Sequence, residues 1–467
     1  MTMHSTPEPQ AQVVSLFKAD DKVVPRTVHG PYARARWVMV WLTQLAYYGT
    51  AWLQWNGRQA VLFDVESRRF LLGPLVFYPQ DFIFLTGLLI VSALSLFLFT
   101  AVAGRVWCGY ACPQTVYTEI FLWFERTFEG DRSARLRLSS GPWTVERAVK
   151  TAAKQFSWMV FAVWTGFTFV GYFTPIRALW HDTLALQLGG WSLFWIAFYS
   201  VATYGNAGFM REQVCKYMCP YARFQSAMFD KDTLLITYDA QRGEPRGSRS
   251  KKADPATLGL GACVDCTLCV QVCPTGIDIR KGLQYECIGC AACVDVCDQV
   301  MDKMGYARGL VKYSTQNALQ QGWSARQMLQ RALRPRVLVY TAVLWSLIAA
   351  LVAGIAMRPE LRVDVVRDRS VNYRMVDDGR IENVYRLMMM NTTEHPLQVN
   401  VKAQGDGEYR VVEADHFEVL PSESRWVVVR VQGNPDVLLA GANHFQFQLQ
   451  GDGIKPVTEQ ATFLAPH

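Results

Sequence analysis

Five apolar stretches stand out along the chain, separated by polar and charged segments: Trp37–Trp55, Phe82–Ala103, Phe156–Phe173, Trp191–Gly208 and Val337–Met357. Each is close to the ~20 residues that a membrane-spanning helix requires. Helices buried in a soluble core seldom run this long without a charge, so the pattern predicts five transmembrane helices. After residue 358 the period changes from helical to two-residue. Val384-Tyr385-Arg386-Leu387, Leu397-Gln398-Val399-Asn400-Val401, Trp426 to Val431 and His444 to Leu449 alternate apolar and polar positions between turn-forming Gly, Asn, Asp and Pro. That alternation predicts a small antiparallel β-sandwich of the immunoglobulin-like kind.

Charge orients the helices. The first 36 residues carry Lys18, Lys22, Arg26, Arg34 and Arg36, and eight basic residues fall between 104 and 154. The 57–80 loop carries three, and 176–190 only Arg177. Basic loops stay inside, which puts the N-terminus, 104–155 and 209–336 in the cytoplasm and 358–467 outside. The fifth helix has arginines on both flanks, so counting alone orients it. No apolar core precedes residue 37, so the start reads as a cytoplasmic tail rather than a signal peptide. The net charge of +7 sits beside apolar blocks, as loop anchors do, and does not point to nucleic acid. The expected organisation is a tail (1–36), two transmembrane hairpins each followed by Cys-x-x-x-Cys-Pro (37–230), a linker (231–262), a ferredoxin domain (263–300), a connector (301–336), a fifth transmembrane helix (337–357) and an outer sandwich (358–467).

All twelve cysteines lie between Cys108 and Cys297. Eight form two successive runs, Cys263-x-x-Cys266-x-x-Cys269-x-x-x-Cys273-Pro274 and Cys287-x-x-Cys290-x-x-Cys293-x-x-x-Cys297. Two-residue gaps let one loop deliver three thiolates to a [4Fe–4S] cubane, and the fourth comes from the other run. The expected sets are Cys263, Cys266, Cys269 and Cys297 for one cluster, and Cys287, Cys290, Cys293 and Cys273 for the other. Zinc sites usually leave a longer gap after a Cys-x-x-Cys pair, and a disulfide scaffold suits a short secreted chain. Asp298 replaces the proline that closes the first run, a packing difference rather than a lost ligand.

The other four cysteines form an internal repeat. Cys108-x-x-x-Cys112-Pro113 and Cys215-x-x-x-Cys219-Pro220 each follow the second helix of a hairpin, and both cysteines are displaced by the same 107 residues. On a continuous helix such spacing sets two thiols on one face, about 5–6 Å apart at Cβ. A pair of this kind can chelate a soft metal, with Cu(I) favoured by thiolates, form a transient disulfide, or simply pack. No histidine lies inside an apolar block, and neither a haem-attachment motif nor a phosphate-cradling glycine loop is present. The recognisable carriers are therefore one-electron carriers. The triplet Met388-Met389-Met390 places neighbours on opposite strand faces and reads as packing.

These twin Cys-x-x-x-Cys-Pro sites, the double run, the fifth helix and the terminal sandwich resemble the CcoG family, also called FixG or RdxA, as do Trp107-Cys108-Gly109-Tyr110 and the Tyr238-Asp239 to Arg246 stretch. Members are accessory proteins of cbb3-type cytochrome oxidase. The helices and clusters also resemble the wider polyferredoxin group that includes NapH and NosR. The resemblance implies a multi-pass protein of the bacterial inner membrane that reduces Cu(II) to Cu(I) in the cytoplasm for the oxidase's copper centre. Cys108, Cys112, Cys215 and Cys219 would bind the copper. A copper chaperone or copper-exporting ATPase and oxidase assembly factors would be the partners, beside an unidentified electron donor. The alternatives are a NapH-like quinol-linked electron conduit and a non-enzymatic assembly or sensor scaffold.

Overall fold

The apolar stretches all fold as helices: Pro31–Thr50, Phe82–Ala103, Val145–Val170, Gly190–Thr203 and Pro335–Ala356. Proline opens the first and last, where its missing N–H costs no hydrogen bond. The computed structural model describes residues 23–466 apart from 256, 370, 371, 377, 414 and 452. The first 22 residues of the expected tail therefore lie outside the described residues.

Among the described residues, two helices are long and apolar enough to cross a membrane, Pro79–Ala103 and Pro335–Ala356, against an expectation of five. The other three fall short for local reasons. Pro31–Thr50 begins with Arg34 and Arg36, and Val145–Val170 carries Glu146, Arg147, Lys150 and Lys154 in its first turns. Gly190–Thr203 has 14 residues before the backbone widens into π-helical geometry from Tyr204 to Met210. Of the apolar windows in the two qualifying helices, 0% and 6% are buried within the chain. Side chains that apolar, facing outward, require lipid rather than water around them. The two pack on each other through glycines: a Cβ on Gly87 would meet Leu351 at 3.1 Å, and one on Gly354 would meet Phe84 at 3.1 Å.

Contacts divide the chain into two compact units, one of 1–37, 103–157 and 206–323, the other of 38–102, 158–205 and 324–467. The second unit contains the sandwich. One sheet runs Arg410–Val412, Ser424–Gly433, Ile381–Asn391, Leu361–Arg367, and the other His416–Val419, Leu397–Gln404, Gly441–Gly451, Val457–Ala465, all pairs antiparallel. Alternate residues fill the core, among them Tyr385, Leu387 and Met389 from one strand and Phe445, Phe447 and Leu449 from another. Met390 faces the other way. It packs with Leu62, Leu71, Val76 and Tyr78 from a three-stranded sheet in the 57–80 loop. Asp81, almost fully buried, is held by Arg358 and Arg362 at 2.7 Å each.

The first unit holds all twelve cysteines. Its frame includes a buried triad in which Glu125 accepts from Arg135 at 2.6 Å and from Arg211 at 2.5 Å. Two segments read from sequence as connections have structure here: Leu235–Tyr238, in the 231–262 stretch, pairs antiparallel with Val311–Ser314, in the 301–336 stretch. Residues 23–36 are not a free tail. The amides of Tyr32 and Ala33 donate to Asp295 at 3.2 and 2.7 Å, seating a helix start on a carboxylate. Arg36 donates to the carbonyl of Cys290.

Candidate redox site

The two cysteine runs share one local geometry. Asp265 and Thr267 in the first run, and Gly289 and Ala291 in the second, occupy the left-handed region at φ 51°, 55°, 70° and 59°. Both pairs lie at corresponding places, displaced by 24 residues. Three of the four are not glycine, and each such turn costs of order 1 kcal/mol or more unless its surroundings impose it.

The first cradle is a small, mostly apolar cavity whose lining includes Cys263, Cys266, Cys269 and Cys297, with Met301, Leu310 and Val311 as walls. Cys297, from the other run, thus lines the cavity beside the three thiols of the first. Cys297 projects from the helix Ala292–Met304, and Arg280 lines the same cavity. In the second group Cys273, Cys287, Cys290 and Cys293 interact electrostatically with one another, and Cys290 is buried. Burial pushes the thiols up, Cys269 to about 11 and Cys287 and Cys297 to about 12. They are neutral at pH 7 until a metal displaces their protons. A four-thiol, apolar, loop-wrapped cradle fits a [4Fe–4S] cluster.

The Cys-x-x-x-Cys-Pro elements differ from the continuous helical face that their spacing suggests. The helix Val106–Tyr110 ends before Cys112, which has φ −59° and ψ 129° and precedes the helix Pro113–Glu129. Cys215 sits in the π-helical turn Val214–Met218, and Cys219, at φ −79° and ψ 111°, precedes Pro220–Met228. Proline is the cause, because it pushes the preceding residue out of helical geometry. The repeat survives in detail: Cys112 N–H donates to the Trp107 carbonyl at 2.9 Å and Cys219 N–H to that of Val214 at 2.8 Å, five residues back in each case. Each second cysteine therefore sits at the N-terminus of a helix. For Cys112, burial raises the thiol and the amides of Gln114 and Thr115 oppose it.

The two elements meet. Cys108 Sγ lies 3.6 Å from Gln225 Oε1, in the helix that follows Cys219, and Gln114 Nε2 donates to the Asn206 carbonyl at 2.9 Å. Burial pushes Cys108 up to about 11 and Cys215 to about 12, with neighbouring thiols adding to both. Among the described residues no three His, Cys, Asp or Glu side chains gather as ligands of a single metal ion. The four thiols lie near one another, since Cys215 interacts electrostatically with Cys108, Cys112 and Cys219.

Both elements also abut the second cradle. Cys108 and Cys215 pack in one apolar cluster with Val272, Ile288, Cys290 and Cys293. A cavity of ≈ 70 Å³ is lined by Cys215 and Cys290 together with Arg36, Arg211 and Glu212. Near the same cysteines, outside that cavity's lining, sits a residue that the sequence shows only as one of eight basic positions between 104 and 154. Arg105 is buried, and it donates to the carbonyls of Tyr285 and Ala222. It thereby ties the Cys108 turn to both the cluster loop and the helix after Cys219.

Comparison with known proteins agrees with this arrangement. Residues 210–316 match a 4Fe-4S dicluster domain, 85–129 a 4Fe-4S binding domain, and 351–466 the Ig-like fold at the C-terminus of FixG. The nitrogen fixation protein FixG of Rhizobium meliloti is 39% identical over 84% of this chain and 80% of its own length. Proteins RdxB and RdxA of Cereibacter sphaeroides are 40% and 38% identical, each over 85% of both chains. The chain belongs to the FixG/RdxA/RdxB family. It is an iron–sulfur electron-transfer protein of the membrane, and the FixG-type sandwich forms its C-terminal domain.

Proposed function

We propose that this FixG-family chain reduces Cu(II) to Cu(I) on the cytoplasmic face of the membrane, in support of copper-centre assembly in a cbb3-type oxidase. One observation carries the reading: the paired thiols abut the second cluster cradle, with Cys108, Cys215, Cys290 and Cys293 in one apolar cluster. When bound, the clusters supply electrons singly, and Cu(II) needs one to become Cu(I). Cys108, Cys112, Cys215 and Cys219 take the copper as substrate. Thiolates hold Cu(I), and two suffice for it, so paired thiols bind the product without trapping it in a closed four-ligand site. Binding releases thiol protons, because burial keeps these groups neutral beforehand. The released Cu(I) passes to a copper chaperone or exporting ATPase, and an electron donor of unknown identity restores the clusters.

The chain crosses the membrane at its five apolar helices in this reading, with the cysteines inside and the sandwich outside. Segments 103–157 and 206–323, most of what the charge rule assigns to the cytoplasm, share one unit with all twelve cysteines.

The test is anaerobic. Clusters are reduced in the purified protein, Cu(II) is added, and cluster absorbance is followed while a specific chelator traps Cu(I). Matched reoxidation and Cu(I) formation, lost when all four membrane-edge cysteines become serine with iron content unchanged, is the expected result. Undiminished Cu(I) formation in that variant would remove these thiols from the mechanism and favour an electron conduit. A second reading has one observation behind it: the 4Fe-4S binding match at 85–129 contains only Cys108 and Cys112. On that reading the four thiols hold a third cluster, and the four-serine variant loses about a third of its iron.

A further inference from the structure

We propose that Arg105 is the fixed counter-charge of the cluster held by Cys273, Cys287, Cys290 and Cys293, and that it raises that cluster's reduction potential. The inference rests on the two-cluster reading and is independent of copper. Arg105 is 4% exposed, and a guanidinium stays charged at any working pH. A buried charge is costly unless something of opposite sign faces it. The other buried arginines of this unit have carboxylates: Arg135 and Arg211 share Glu125, and Arg36, although it also reaches Cys290, feels Glu119 and Asp295. Arg105 has none among the described residues. The groups it faces are Cys108, Cys287, Cys215 and Cys219.

Its hydrogen bonds go to neutral carbonyls, those of Tyr285 and Ala222, and its Nε donates to nothing. The backbone of Arg105 is pressed against the cluster loop as well, because a Cβ on Gly289 would meet the Arg105 carbonyl carbon at 3.1 Å. Neutral thiols do not compensate a guanidinium. Thiolates ligating a cluster do, and an added electron increases the negative charge that it faces. A cation fixed beside a cluster therefore favours the reduced form, since cluster potentials respond to net charge and hydrogen bonding. As Arg105 also faces Cys108, Cys215 and Cys219, one cation is shared between the dithiols and the cradle.

Redox titration of the full-length protein, followed by electron paramagnetic resonance, tests this in Arg105→Gln and Arg105→Lys. The expected result is that R105Q lowers one of the two cluster midpoints and leaves the other in place. R105K, which keeps the charge but cannot span both carbonyls, should hold that midpoint near the wild-type value. Unchanged midpoints in R105Q, or an equal fall in R105Q and R105K, would overturn the proposal. Should R105Q lose iron, R105K decides alone: a wild-type-like midpoint supports the counter-charge, whereas a fallen midpoint or lost cluster makes Arg105 a structural strut and ends the proposal.

Discussion

A methyl group added to Gly109 would lie 2.8 Å from the Cα of Cys290. The residue after Cys108 is thus in backbone contact with a cluster ligand, and the contact leaves no room for a side chain. Backbone cannot move aside as the end of a flexible side chain can. Gly109→Ala should therefore push the Cys108 turn away from the second cradle, at an overpacking cost of about 1–3 kcal/mol. Iron content and thermal unfolding check this, with Gly205→Ala as the comparison because a Cβ there meets nothing within 4 Å. Wild-type stability and iron in G109A would mean that the two segments separate freely.

The crossed ligand sets predict paired losses. Cys297→Ser removes a thiol from the cavity lined by Cys263, Cys266 and Cys269, whereas Cys273→Ser removes one from the group of Cys287, Cys290 and Cys293. Each variant should lose about half of its cluster iron, and the surviving resonance signals should differ. Arg105→Gln should then shift the surviving midpoint in C297S and not in C273S. Identical surviving signals in the two serine variants would refute the assignment.

Glu125 links stability to pH. Burial alone would raise its carboxyl, but Arg211 and Arg135 outweigh burial and hold it below the usual carboxylate range. A depressed folded-state value means that the stabilisation is present above the unfolded value, roughly 4.3, and is lost as pH falls through the folded one. Glu125→Gln leaves two buried guanidinium groups facing a neutral amide and should cost about 3–5 kcal/mol at pH 7. Unfolding midpoints of wild type and E125Q should differ most at neutral pH and converge below about pH 4. A gap that persists into acid would show that shape, not charge, is what Glu125 contributes.

The most legible features were those set by repetition. Two-residue alternation put neighbouring methionines on opposite strand faces, and Met389 lies in the sandwich core while Met390 packs elsewhere. Cysteine spacing grouped Cys297 with Cys263, Cys266 and Cys269, and all four line one cavity. What spacing alone misjudged was the pair Cys108 and Cys112. Four residues suggest one helical face, but Pro113 breaks the helix between them, and the proline is visible in the sequence. Arg105 was illegible for a different reason. It carries the same letter as the surface arginines around it, and only burial against a helix 117 residues away and a loop 180 residues away separates it from them. Residues 23–36 hid their role in the same manner: a polar, basic composition looks solvated until Asp295 and the Cys290 carbonyl are found to be its partners.

That last contact sets a lower bound on timing in synthesis. Arg36 and the carbonyl it binds are 254 residues apart. At roughly 5–20 residues per second, translation takes on the order of ten to fifty seconds to cover that interval. Through that interval its acceptor does not exist. The start of the first helix can be seated on Cys290 only once the second cysteine run has been made. Iron delivered before the second run is made would find three thiols of one ligand set and one of the other, so neither set is complete until Cys297 is made.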